Sequence, residues 1–435
     1  MSDLVIRKIW NSSNLPANWF KRQVQNYQLD QKLEKKINKI LIEVAKNGDN
    51  ALIELTNRFD KVLLSKKDLL VSSLDIKEAY NSVDENQISA IKTIKEKIKI
   101  FETLLFDKCK ISTSIDNIQI DNILSPIQSV GCYVPGGQAS YPSTLLMTVI
   151  PAKVAGVSRI VVCSPPAKDG SLNPLLLVAA DMCGVSEIYK VGGAQAIAAL
   201  AYGTETISSV KKIVGPGNKY VAMAKILVSK NVAIDMPAGP SEVLIVADET
   251  ANPKFVALDM ISQAEHGLGC TSGLITTSDK LRNEVEYWLS KKIKIIDRNK
   301  LVFESLRNFG FIITCSDIDE AVSLTNIYAP EHLEVITKNS RKLSERFNTA
   351  GLILVGPFSP VALSDYGAGT NHVLPTGGFG NVFSGLSSLD FARRVNIVKG
   401  SEKGLFDLAD QLRVITRAEN LPNHYAAIKA RFENG

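Results

Sequence analysis

The chain has 435 residues, 45% of them hydrophobic and 22% charged, which is material for buried cores in roughly two to four domains. Its formal net charge of +5 lies within residues 1–110, which hold 20 basic and 15 acidic side chains interleaved along helical stretches and leave 30 of each beyond. That pattern reads as a solvated surface, not a nucleic-acid footprint. No run of about 18 apolar residues exists to span a bilayer, so no membrane role is expected. The start, Met1 to Lys8, lacks an apolar segment after a basic one, and the six cysteines form no C-x-x-C pair. A cytoplasmic protein without a disulfide framework or a thiolate zinc site is the expectation.

The first hundred residues read as helices. Ile37, Ile40, Leu41 and Val44 fall at i, i+3, i+4, i+7, and Ile91, Ile94, Ile98, Phe101 and Leu105 repeat at alternating steps of three and four. From about residue 125 short β-branched runs each end in Gly or Pro before a helical pattern. Arg159–Cys163 precedes a helix around Leu175–Met182, Ile188–Val191 one over Gln195–Ala201, and Lys212–Val214 one from Asn218 to about Val228. Strand–turn–helix units of this length predict a parallel sheet with right-handed crossovers. A second set follows, with strands at Val243–Val246, Gly273–Thr276, Phe311–Thr314 and Leu352–Val355 and helices near Phe255–Ala264, Leu281–Leu289 and Asp319–Thr325. Two α/β sheet domains are therefore expected, followed after Gly378 by a helical, polar piece too small for a large core of its own.

Only four histidines occur: His266, His332, His372 and His424, all beside Gly or Pro turns or helix ends. A lone histidine is commonly a surface or satisfied core imidazole, but four so placed point to a built site. Gln263 and His266 share one helix face at i, i+3, a weak metal signal alone; adding Asp365 and His424 would give a mixed N/O site suited to zinc or a similar divalent ion.

The turns Gly192-Gly193-Ala194-Gln195 and Gly215-Pro216-Gly217-Asn218 each join a strand to a helix start, where backbone N–H groups can meet a pyrophosphate. A third loop, Tyr133 to Gln138, carries an aromatic that could stack on a nucleotide ring. Each fits ordinary turn chemistry as well; their clustering in the turns of one sheet is the stronger sign.

The ordered motifs Gly131-Cys-Tyr-Val-Pro-Gly-Gly137, Val191-Gly-Gly-Ala-Gln-Ala196, Val214-Gly-Pro-Gly-Asn-Lys-Tyr-Val221, Ala238-Gly-Pro-Ser-Glu-Val243, Ser262-Gln-Ala-Glu-His-Gly267, Tyr328-Ala-Pro-Glu-His332 and Gly367-Ala-Gly-Thr-Asn-His372 together resemble histidinol dehydrogenase. The resemblance implies oxidation of L-histidinol to L-histidine through L-histidinal in two NAD+-dependent steps. It implies one Zn2+ per subunit on Gln263, His266, Asp365 and His424, and Glu331 and His332 as the catalytic pair. It further implies Ser241, His372 and Glu419 as substrate contacts beside His332 and the zinc ligands, and Tyr133, Gln195 and Asn218 as NAD+ contacts. A homodimer is implied as well, with the C-terminal piece crossing to complete the partner's site.

The expected fold is α/β, with two Rossmann-like parallel-sheet domains lacking a G-x-G-x-x-G fingerprint, plus N-terminal helices and a small helical C-terminal piece. Its expected division is an arm over 1–26, a discontinuous α/β domain over 27–129 and 237–377 with the metal and catalytic residues, a second α/β domain over 130–236 with the NAD-binding turns, and the piece 378–435. Three rivals stand beside this reading: an aldehyde dehydrogenase with Cys132 or Cys163 as nucleophile, a catalytically silent zinc- and nucleotide-binding regulator, and a metallohydrolase.

Overall fold

Runs such as Val243–Ala247 and Val161–Cys163 are apolar on both alternating faces, so they are stable only inside a sheet covered on both sides. The computed structural model, which describes residues 5–20, 30–136, 141–237 and 239–433, places them so. The strands are β1 (Lys8–Asn11), β2 (Ile111–Ile115), β3 (Ile118–Pro126), β4 (Ser129–Tyr133), β5 (Arg159–Cys163), β6 (Glu187–Tyr189), β7 (Lys212–Val214), β8 (Ala233–Ile234), β9 (Glu242–Ala247), β10 (Thr271–Thr276), β11 (Phe311–Thr314), β12 (His332–Ile336), β13 (Leu352–Val355) and β14 (Ala392–Gly400).

Six of them form a parallel sheet in the order β1-β11-β10-β9-β12-β13, and five a second parallel sheet in the order β6-β5-β4-β7-β8. The expected α/β class with two parallel sheets is the observed one. A third sheet, β14-β3-β2, is small and antiparallel. No helix among the described residues is long and apolar enough to cross a membrane.

Three differences from the sequence reading bear on the site. The amphipathic helices of the first hundred residues exist, but Ile37, Leu41 and Val44 of Gln31–Asp60 share a core with Ile197 and Leu200, and Ile91 and Ile98 of Glu85–Lys108 share one with Leu146 and Ile150. Residues 30–108 thus cover the five-stranded sheet, which corrects their expected grouping with the metal-bearing domain. A hydrophobic stripe says that a helix needs a partner, not which one. The expected arm supplies β1 to the edge of the six-stranded sheet, and its expected boundary at residues 26 and 27 falls outside the described residues.

The C-terminal piece is not purely helical. Its strand β14 pairs with β3 along nine residues before the helices Glu402–Ala418 and Pro422–Lys429. Lastly, β12 lies where no strand was expected, between β9 and β13 in the six-stranded sheet. Its run His332-Leu-Glu-Val-Ile336 alternates polar with apolar residues, yet every position is buried.

Candidate active site

The two parallel sheets meet over a cavity of about 540 Å3. The turns that follow β4 and β7, at Gly136 and at Pro216 to Lys219, form one wall. The opposite wall is made by the residues that begin or precede the strands of the other sheet: Ser241 before β9, Cys270 before β10, and Glu331 and His332 at β12. The cavity therefore uses the carboxyl ends of one sheet and the amino ends of the other.

Glu331 and His332 are each 4% exposed. The chain leaves the helix Ile318–Tyr328 through Ala329 in the left-handed region (φ 50°), turns at Pro330 and enters the sheet. Glu331 Oε2 accepts the backbone N–H of Glu242 at 2.6 Å, and His332 Nδ1 stands 3.3 Å from the Glu242 carbonyl and 3.7 Å from Glu331 Oε2. One residue of β9 thus positions both through its main chain. Glu242 carries no signal for this in the sequence, because a backbone contact leaves side-chain identity free.

On the other side His332 Nε2 lies 3.6 Å from Asp365 Oδ1. Burial pulls the His332 pKa down, but the carboxylates of Glu331 and Asp365 overcome it and push it up to about 10. Burial raises the Glu331 carboxyl, against the opposing pull of His332 and the Glu242 N–H. Asp365 is opposed by burial too, yet the imidazoles of His332, His372 and His266 keep it below the ordinary carboxylate range.

Gln263 ends the helix Pro253–Ala264 and is 2% exposed, with its amide nitrogen lacking a partner; His266, three residues on, is exposed at the rim. Asp365 comes from the helix Val361–Tyr366, its Oδ1 also unpartnered. His372 reaches Thr144 Oγ1 at 3.3 Å through Nε2 and the Asp365 carbonyl at 3.2 Å through Nδ1.

Of the expected site residues, the cavity brings together Asn218, Ser241, Gln263, His266, Glu331, His332, Asp365 and His372. It leaves out four. Tyr133 is 3% exposed, its hydroxyl accepting the Gly193 N–H at 3.2 Å, so its ring is not open for stacking as the sequence suggested. Gln195 is 1% exposed inside the helix Gly193–Tyr202. Glu419, in the turn between the two C-terminal helices, and His424, on the second of them, are exposed. Gly137 and Gln138 of the aromatic loop fall outside the described residues. Asn218 lines the cavity while its side chain caps the helix Lys219–Val228, accepting the N–H groups of Tyr220 and Val221.

Cys132 and Cys163 are fully buried within β4 and β5, and burial pushes the Cys132 thiol up to about 12 and raises that of Cys163 also. Neither lines the cavity, and burial pushes both thiols away from the reactive form, which speaks against a thiohemiacetal route through them.

A cavity between two parallel sheets, lined by a buried carboxyl–imidazole pair and a cluster of N and O donors, is the architecture of an α/β enzyme. The chain belongs to the histidinol dehydrogenase family, whose family profile matches residues 23–432, and it is an oxidoreductase. Histidinol dehydrogenase of Methanothermobacter thermautotrophicus is 46% identical over 395 residues, covering 91% of this chain and 92% of its own. That of Clostridium acetobutylicum is 47% identical over 394 residues, 91% of each chain. The crystal structure of histidinol dehydrogenase from Elizabethkingia anophelis matches with a TM-score of 0.91 at 35% identity, covering 98% of each chain.

Proposed function

We propose that the chain oxidises L-histidinol to L-histidine through L-histidinal with two NAD+, that Glu331 and His332 carry the proton transfers, and that one zinc ion per subunit and a homodimer complete the site. The observation that carries this reading is the Glu331–His332 pair, buried yet lining the same cavity as Gln263, His266 and Asp365.

The donor set suits zinc: an amide, an imidazole and a carboxylate, two of them with buried atoms that have no hydrogen-bond partner, and either end of an amide can take the ligand position. Among the described residues no three His, Cys, Asp or Glu side chains are spaced to hold a metal. One chain therefore offers three donors with Gln263 included, and His424 of a second chain would be the fourth. Bound zinc supplies a cation that orients the substrate's imidazole and amine, and bound NAD+ supplies the hydride acceptor, with Asn218 the cavity-lining residue nearest in role to a cofactor contact.

Oxidation of a primary alcohol releases the hydroxyl proton as the carbon gives up hydride. His332 Nε2, buried and without a hydrogen-bond partner, is the nitrogen that takes this proton. With Asp365 committed to a cation, His332 loses one of the two carboxylates that hold its own proton, which moves it toward the neutral form a base requires. The second oxidation needs water added to the aldehyde. Glu331, its carboxyl raised by burial and oriented by the Glu242 N–H, is placed to take the proton that this water loses. Ser241 and His372 line the cavity as substrate contacts.

The dimer is supported by what the C-terminal piece leaves uncovered. Val398, Phe406, Val414 and Ile415 are exposed there, as are Ile111 and Ile115 on β2 at the far edge of the same small sheet. Six unpaired cysteines suit a reducing compartment, the cytoplasm. The reading is tested by mixing the protein with L-histidinol and NAD+. About two NADH per histidine formed are expected, with the rate abolished by a chelator and restored by zinc, while the metal-free protein stays folded because its cores do not depend on the site. NADH formation that stops at one equivalent, or that survives complete metal removal, refutes it.

A further inference from the structure

Strand β12 directs two polar side chains to one face of the sheet, His332 and Glu334, and only the first belongs to the cavity. Glu334 is 1% exposed. Its register neighbours are Ile245 on β9 and Leu354 on β13, both in the apolar core that the helix Pro253–Ala264 covers. A carboxyl group so placed is costly unless its oxygens are used.

One oxygen is satisfied by the main chain. Glu334 Oε1 accepts the N–H of Val361 at 2.8 Å; Val361 opens the helix Val361–Tyr366, whose cap residue Pro360 has no side chain able to satisfy that donor. Oε2 is buried without a hydrogen-bond donor, and the carboxyl group interacts with that of Asp259 on the helix Pro253–Ala264. Two carboxyl groups can bond only when one keeps its proton. Burial and the neighbouring Asp259 charge hold the Glu334 carboxyl well above the usual carboxylate range.

Asp259 is one helical turn before Gln263, and Val361 is one turn before Asp365. A single side chain therefore ties together the strand that carries His332, the helix that carries Gln263 and the helix that carries Asp365.

We propose that Glu334 is a positioning residue: through its bond to Val361 and its contact with Asp259 it sets the spacing between His332 and the two proposed metal-ligating side chains Gln263 and Asp365. This rests on the assignment of those three residues to the site, and it adds a buried pair that takes no direct part in the chemistry.

The test uses the zinc-loaded protein. Glu334→Gln keeps the length and both polar ends, its amide oxygen able to accept from Val361 and its amide nitrogen able to donate to Asp259. Glu334→Met has similar length and retains neither, and Asp259→Ala removes one partner at a half-buried position. Glu334→Gln is expected to keep most of its activity, whereas Glu334→Met and Asp259→Ala lose about 10²-fold in kcat, the scale of a 1 Å misplacement. In competition with a chelator the two damaged proteins should also lose zinc about tenfold more readily. Glu334→Met leaves the Val361 N–H without an acceptor, so its melting temperature should fall modestly, by far less than a loss of fold that would account for the drop in kcat.

Wild-type kcat and zinc retention in both Glu334→Met and Asp259→Ala overturn the proposal, as does a loss in Glu334→Gln equal to that in Glu334→Met. If Glu334→Met does not fold, Asp259→Ala compared with Glu334→Gln decides the matter alone. His332→Ala separates the two levels of failure: an active His332→Ala protein rejects the site assignment itself, and an inactive one beside unimpaired Glu334→Met and Asp259→Ala rejects only the positioning role.

Discussion

Glu331 and His332 are neighbours in the chain but enter the sheet in different surroundings, and this separates their tasks. His332 is flanked by two carboxylates, at 3.7 and 3.6 Å, whereas Glu331 is held by one backbone N–H and otherwise desolvated. Glu331→Gln preserves that contact, because the amide oxygen accepts from Glu242, and removes only the ability to take a proton. The expected loss is about 10²–10⁴-fold in oxidation of the aldehyde to the acid, and a smaller one in oxidation of the alcohol to the aldehyde. Supplying each substrate separately measures the two half-reactions. Equal losses in both would mean that the pair shares its duties and that the division drawn here is wrong.

At the scale of elements, the turn after β7 shows how the fold holds one wall of the cavity. Gly215 has φ 112°, and a Cβ there would lie 2.1 Å from the Tyr133 carbonyl oxygen, so the two strand-end turns pack main chain against main chain. The same residue is held at both polar groups: Asp235 accepts its N–H at 2.8 Å and Lys225 donates to its carbonyl at 2.9 Å. Lys225 and Asp235 pair with each other, their side chains 4% and 1% exposed. Lys225→Met leaves Asp235 buried without its cation and should cost about 3–5 kcal/mol, read from urea unfolding. Adding Asp235→Leu should recover part of that loss, since no charge then remains buried; a single variant as stable as wild type would show that the pair does not hold the turn. This turn was legible in the sequence because glycine flanked by a β-branched run and a helical pattern has a local cause. The strand β12 was not, since His332 and Glu334 stand at inward positions where polar residues argue against a buried strand, and their partners lie far away in sequence. For the same reason the packing of residues 30–108 was hidden, as the surface that receives Ile37 and Ile98 is formed only by the assembled fold.

At the scale of the molecule, one chain brings to its cavity all but two of the side chains proposed to bind substrate and metal. Glu419, in the turn between the two C-terminal helices, and His424, on the second, lie exposed and away from the cavity of their own chain, beyond the pairing of β14 with β3. Exposed apolar residues run along it, Phe406 at 66% and Val414 at 65%, a surface that a second copy would cover. If the piece serves the partner's cavity, each site needs His332 from one chain and His424 from the other. His424→Ala and His332→Ala proteins should each be inactive alone. Mixed under conditions that exchange subunits, they form hetero-pairs in which one site collects both lesions and the other neither, so each mixed dimer should regain about half of wild-type activity if the two sites work independently. Were His424 to act within its own subunit, every site of a mixed dimer would carry one lesion. Mixed dimers that form, as judged by differently tagged chains purified together, and yet remain inactive would assign His424 to its own chain and end the shared-site reading.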